Sequence, residues 1–149
     1  MAKSIYELFQ NVVAARKDRV AAQYKSGGAW RDVTWGEMDK TSKALAAGLV
    51  KSGVEPKQMV SIISNTRLEW ITADLGIQGA GATTVPVYQS STPDDTQFIL
   101  NDAGVVALFC EDESQLKKLR LIRAQIPKVK KIIAMAGAPD DSGLEDRKS

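Results

Sequence analysis

The chain has 149 residues, 44% hydrophobic and 26% charged, which is enough to bury one good core and too apolar for a disordered chain. Twenty basic against 18 acidic residues leave a net charge of +2, and no basic run is interleaved with aromatics, which argues against a nucleic-acid partner. Histidine is absent and cysteine occurs once, so a zinc site and serine or cysteine hydrolase chemistry are not expected, and Cys110 reads as a small buried hydrophobe in a reducing compartment.

The opening MAKSIYELFQ has no apolar signal core, and no run approaches the ~20 apolar residues of a membrane span, so a cytoplasmic protein is expected. Ser4 and Glu7 form a capping box, and Ile5, Leu8, Phe9, Val12 and Val13 share one face, predicting an amphipathic helix over 5–16. Such a helix can lie on a membrane surface, but docking on the rest of the protein is the stronger reading. Residues 20–24 and 30–34 flank Lys25 to Ala29, which contains Ser-Gly-Gly, and predict a β-hairpin. Thr34 and Glu37 cap a helix with Met38, Leu45 and Leu49 inward, stopped by Gly53.

The stretch from Met59 to Val87 organises the rest. A β-branched run at 59–63 is followed by Ser64, Asn65 and Thr66, all able to cap a helix, with Thr66 and Glu69 in capping-box spacing. Leu68, Ile71 and Leu75 are expected against a sheet, Gly79 and Gly81 stop the helix, and 83–87 is a second strand. Thr92 as cap, Pro93 in the first turn and Asp94-Asp95 open a further helix carrying Phe98 and Ile99 inward. A strand at 105–109, a helix capped by Asp112 and Gln115 with Leu116, Leu119, Ile122 and Ile126 inward, and a strand at 131–135 complete the pattern. This recurring βα unit predicts an α/β fold: a mostly parallel sheet of about four strands with flanking helices, preceded by an N-terminal helix and a β-hairpin. Residues 1–136 are read as one subdomain and 137–149 as a loop or linker.

In an open parallel sheet ligands bind beyond the carboxyl ends of the strands. The candidate segments are therefore Ser64 to Thr66, Gln89 to Thr92, Glu111 to Asp112 and Gly137 to Pro139. The first two could form an anion site at helix N-termini, although helix capping accounts for their residue types. Gly76, Gly79 and Gly81 close a helix where a dinucleotide fingerprint would open one, and no phosphate-loop motif occurs. The pairs Asp94-Asp95 and Asp140-Asp141 need no catalytic role. No catalytic, cofactor-binding or metal residue is assigned.

Val33-Thr34-Trp35-Gly36-Glu37-Met38, Ala46-Ala47-Gly48-Leu49, Val60 to Asn65, Glu69-Trp70, Ala80-Gly81-Ala82 and Val85-Pro86-Val87-Tyr88 resemble the opening of the AMP-forming acyl-CoA synthetases of the adenylate-forming superfamily. Ser91-Thr92-Pro93, Phe98 to Asp102, Glu111 to Leu116 and Arg123 to Met135 resemble the long-chain fatty acid CoA ligases in particular. The resemblance implies an N-terminal fragment of an enzyme that joins a fatty acid to CoA through an acyl adenylate. It would use ATP, Mg2+ and CoA, while the fragment itself would need none. Asn65 and Trp70 recur in the family pattern, but capping and helix packing are the expected roles here. The implied partners are the fatty acid and the downstream subdomains. Peripheral membrane contact stays open, and self-association through apolar surface on the first and third helices is expected. A fatty acyl-AMP ligase, an aryl-CoA ligase or a stand-alone α/β binding module are the alternatives.

Overall fold

A computed structural model describes residues 3–135. The predicted loop or linker at 137–149, with Gly137 to Pro139 and Asp140-Asp141, lies outside the described residues. In chain order the elements are α1 (Ile5–Arg16), β1 (Val20–Ser26), β2 (Ala29–Thr34), α2 (Trp35–Lys51), β3 (Met59–Ile63), α3 (Leu68–Gly79), β4 (Thr83–Val87), α4 (Pro93–Asp102), β5 (Val105–Cys110), α5 (Glu113–Leu121) and β6 (Lys131–Ala134), with a 3-10 turn at Arg123–Gln125 before β6. The fold is the expected one: β4-β3-β5-β6 form a parallel four-stranded sheet, and β1-β2 form a separate antiparallel hairpin.

Local chemistry explains most boundaries. Thr34 caps α2 with a full capping box, its hydroxyl accepting from the Glu37 amide while the Glu37 carboxylate accepts from the Thr34 amide. At the start of α1 only half of that arrangement forms, because the Glu7 carboxylate accepts from Lys3 N–H instead of Ser4 N–H. The hairpin turn is tighter than expected. Gly27 and Gly28 both have positive φ, 58° and 80°, so two residues suffice and Ser26 already pairs with Ala29. Gly81, at φ 75°, ends α3 in a Schellman arrangement, with Ala82 N–H on Ile77 O and Gly81 N–H on Gln78 O. Gly79 is therefore not the stop. It is the seat of the Tyr6 ring, which an added Cβ would meet at 3.1 Å.

Helices cover both faces of the sheet. On one face α2 and α3 pack Leu49, Ala73 and Ile77 against Val60, Ile62, Ala107 and Phe109. On the other, Leu100 of α4 and Leu116 and Leu119 of α5 pack against Ile63, Leu108, Cys110 and Ile132. Burial on both sides is why these strands read as continuous apolar runs. Pro86, which cannot donate to a ladder, is tolerated because β4 is an edge strand. Gly76 lets α2 and α3 approach closely, since a Cβ there would lie 2.8 Å from Leu45 Cβ.

Four expectations are corrected. Thr66 and Glu69 do not cap α3: Arg67 is the N-cap residue, without a side-chain cap bond. Phe98 is 68% exposed, because α4 turns Thr96 and Leu100 to the core, with Ile99 half-buried beside them, and Phe98 falls on the opposite side. Ile5 and Leu8 are exposed, and the buried apolar residues through which α1 docks are Phe9 and Val13, with Tyr6 partly buried beside them. Leu75 is buried, but against Phe9, Val13 and Met38 of α1 and α2; Ala73 and Ile77 are the α3 residues that face the sheet.

Candidate functional site

The chain runs from β3 to β4 on one side of the sheet and from β5 to β6 on the other, with α3 and α5 on opposite faces. The connections leaving β3 and β5 therefore diverge, and a crevice opens at their carboxyl ends. Three of the four segments expected at this end meet around it.

Ser64 is buried, and its hydroxyl donates to Asn65 O at 2.8 Å, tightening the turn out of β3. Asn65 then points across the crevice. Its backbone N–H and its Nδ2 both donate to Glu111 Oε2, at 2.9 and 3.0 Å. Arg67 completes the cluster: Nε and Nη2 donate to the two carboxylate oxygens of Glu69 at 2.8 and 2.9 Å, and Nη1 lies 3.6 Å from Glu111 Oε1. The ladder continues into the crevice through Glu111 N–H on Ile63 O and Met135 N–H on Cys110 O. Glu111 thus ties the exit of β3 to the exit of β5. Asn65 is spent on that tie and caps nothing, which overturns the capping role expected for it.

The hydrogen bonds from Arg67 hold the Glu69 carboxyl below its ordinary range, and those to Glu69 in turn raise the guanidinium. Because the folded pKa of Glu69 is depressed, the pair's contribution is fully present above the ordinary glutamate value of about 4.3 and is lost as pH falls through the folded value. The amides of 65–68 should therefore show lower protection factors, with the intrinsic pH dependence of exchange divided out, at about pH 3 than at about pH 6. Glu69→Gln should remove most of that pH dependence, and an unchanged profile in the variant would show that the pair does not order this turn.

The opposite rim is the β4–α4 connection. Lys118 of α5 donates to Gln89 O and Ser91 O, both at 2.8 Å, and Gln115 Nε2 donates to Gln89 O at 3.2 Å. Partial burial pushes the Lys118 ammonium pKa down. The N-terminus of α4 is self-contained: Thr92 Oγ1 accepts from Asp95 N–H at 3.1 Å and donates to Asp95 Oδ2 at 2.8 Å. With Asp94 and Asp95 in its first turn, this terminus is a helix cap and offers nothing to an anion.

Between the rims lies a cleft of about 430 Å³ lined by Ser64, Asn65, Thr66, Trp70, Tyr88 and Gln89 among others. Trp70 does two jobs, packing on the sheet-facing core while lining the cleft. Tyr88 is 81% exposed at the rim. The lining offers hydroxyls, amides and aromatic faces, and no general base. Among the described residues no group of three or more His, Cys, Asp or Glu could hold a metal ion. The arrangement can bind and orient a ligand. Sequence reading missed Arg67 and Lys118 and gave Gln115 only a capping role; Glu111, beside Arg67, and Gln89 O, which accepts from Gln115 and Lys118, arrive only through the topology.

The parallel sheet is thus covered on both faces, with its cleft between the exits of β3 and β4. The family model described as AMP-binding enzyme matches residues 9–149, and the chain belongs to that family. It is 34% identical over 121 residues to the long-chain-fatty-acid–CoA ligase FadD15 of Mycobacterium bovis, covering 81% of this chain and 20% of that protein. Against the long-chain-fatty-acid–CoA ligase ACSBG2 of Xenopus laevis it is 28% identical over 130 residues, covering 87% of this chain and 18% of that one. The chain spans about a fifth of the length of these curated relatives. Among solved structures, acetoacetyl-CoA synthetase from Streptomyces lividans matches with TM-score 0.84 at 20% identity, covering 95% of this chain and 24% of that one. A Mycobacterium tuberculosis fatty acyl CoA synthetase matches with TM-score 0.77 at 20% identity, covering 89% and 26%. At that identity the structural matches establish the fold.

Proposed function

We propose that this chain is the N-terminal part of a long-chain fatty acid CoA ligase, which joins a fatty acid to CoA through an acyl adenylate with release of AMP and pyrophosphate. The observation that carries this reading is the 34% identity to a curated long-chain ligase, running through 81% of the chain. The family implies ATP, Mg2+ and CoA for the whole enzyme. The residues of the cleft do not fit ATP by themselves: the guanidinium beside it is held by Glu69 and Glu111, and no glycine-rich backbone cradles a phosphate. No step is therefore routed through the nucleotide here. The contribution of this part is a rigid wall, with Asn65, Trp70, Tyr88 and Gln89 presented to whatever the rest of the enzyme holds against it. Exposed Ile5 and Leu8 of α1 and Ile71 of α3 supply apolar surface for those further parts, and self-association would cover it in their absence.

The test is replacement. Residues 9–135 of this chain, put in place of the matching segment of the FadD15 relative, should leave palmitate-dependent ATP–pyrophosphate exchange and palmitoyl-CoA formation within about tenfold of the parent, a loss of no more than about 1.4 kcal/mol. The 149-residue chain alone should show neither activity. A folded chimera that no longer activates palmitate, or activity from the chain alone, would overturn the reading.

A further inference from the structure

The opposite, amino-terminal end of the sheet carries a second hollow, of about 490 Å³. One wall is the α2–β3 connection at Gly53 and Gln58; the other is the approach to β6, which brings Lys128, Lys130 and Lys131; Val106 of β5 lies on the floor. No carboxylate lines it. The lysine-bearing wall is anchored, because Lys130 N–H donates to Val106 O at 2.7 Å. Lys130 Nζ spends one hydrogen bond on Pro127 O at 2.9 Å and keeps two donors. Neither Lys128 nor Lys130 has an ion pair among the described residues. Nothing is asked of Lys131, which is buried and already engaged.

The facing wall adds donors and room. Gln58 Oε1 accepts from Glu55 N–H at 2.9 Å, which fixes its carboxamide and leaves Nε2 to donate. Gly53 has open space where a Cβ would stand, so a ligand can approach the backbone there. The C-terminus of α2 points into this region and carries a negative partial charge, about half an elementary charge. Two whole ammonium charges outweigh it, and Glu55 is the acidic residue on the facing loop. A compact, two-walled basic hollow with amide donors matches a phosphate group, which takes several short bonds from fixed donors.

We propose that this hollow binds a phosphate-bearing anion, held between Lys128 and Lys130 on one side and Gln58 on the other. The phosphate could belong to a soluble polyphosphate or to the headgroup of an anionic phospholipid. The site is independent of the ligase reading, since it uses no residue of the carboxyl-end cleft.

The experiment uses the whole chain in two arms: titration with sodium pyrophosphate followed by amide chemical shifts, and cosedimentation with vesicles of phosphatidylcholine with and without phosphatidylglycerol. Saturable binding is expected in at least one arm, with shifts centred on Gly53, Val54 and Lys130 and weakening in high salt. Pyrophosphate binding assigns the soluble source, and binding only to phosphatidylglycerol vesicles assigns the headgroup. Lys128→Ala/Lys130→Ala should weaken binding at least tenfold with an unchanged melting curve, whereas Lys25→Ala/Lys40→Ala should leave it intact. No binding in either arm, or equal binding by both double variants, would overturn the proposal.

Discussion

Phe109→Ala should lower the free energy of unfolding by about 3–5 kcal/mol, the usual cost of emptying a large aromatic site in a core. Phe109 is 2% exposed on β5, an inner strand held by β3 on one side and β6 on the other. Its ring fills the space between the sheet and the α2–α3 pair, against Leu49, Ile62, Ala73 and Ile77. Neither neighbouring strand can move inward without breaking its ladder, so the cavity would relax only in part. Against a total of about 5–15 kcal/mol for a domain, that loss is about a fifth or more of the stability. Urea denaturation should show a lower midpoint with an unchanged slope. Leu121→Ala, at a site 75% exposed, should stay within about 0.5 kcal/mol of the parent. Equal midpoints for the two variants would mean that β5 does not lie at the centre of the core.

What the sequence revealed was mostly what short-range chemistry decides. The Thr34–Glu37 box, the Thr92-Pro93 start and the Asp112 cap are each settled within three residues, and each forms as read. The parallel sheet was legible because its strands are buried on both faces and lose the alternation of a half-exposed sheet. Failures came where distant chain segments compete for a side chain. Asn65 looked like a helix cap because its neighbours begin a helix, but Glu111 takes both its amides, leaving Arg67 at the N-cap position. Nothing local to either residue announces that pairing. Phe98 was misplaced for another reason: hydrophobicity outranked phase, while the helix buried Thr96 and exposed the aromatic ring. The cleft's position was legible from the rule for parallel sheets. Its clamping by Glu111, Gln115 and Lys118 was not, because strand order is needed to bring those residues together.

Leu75→Ala should cost about 2–5 kcal/mol, and the distribution of that loss over the chain identifies what Leu75 holds. Leu75 is 7% exposed and belongs to the third cluster, with Phe9 and Val13 of α1 and Met38 of α2. That cluster is the main apolar attachment of α1, whose other ties are the Tyr6 ring over Gly79 and the hydrogen bond from Gln10 Nε2 to Asp39 Oδ1. The second tie is reinforced by Lys43, which bonds Asp39 Oδ2 at 2.8 Å and, with Gln10, holds its carboxyl below the ordinary range despite the upward push of burial. Truncating Leu75 therefore opens a cavity under α1 while the two faces of the main sheet keep their packing. Native-state hydrogen exchange should show the amides of residues 8–16 losing protection first, with β3 and β5 declining only as far as the global stability falls. If Leu75 instead packed on the sheet, β3 amides would lose protection together with α1. Uniform loss across α1, β3 and β5 would show that α1 is not a separate attachment and that the third cluster is continuous with the core beneath it.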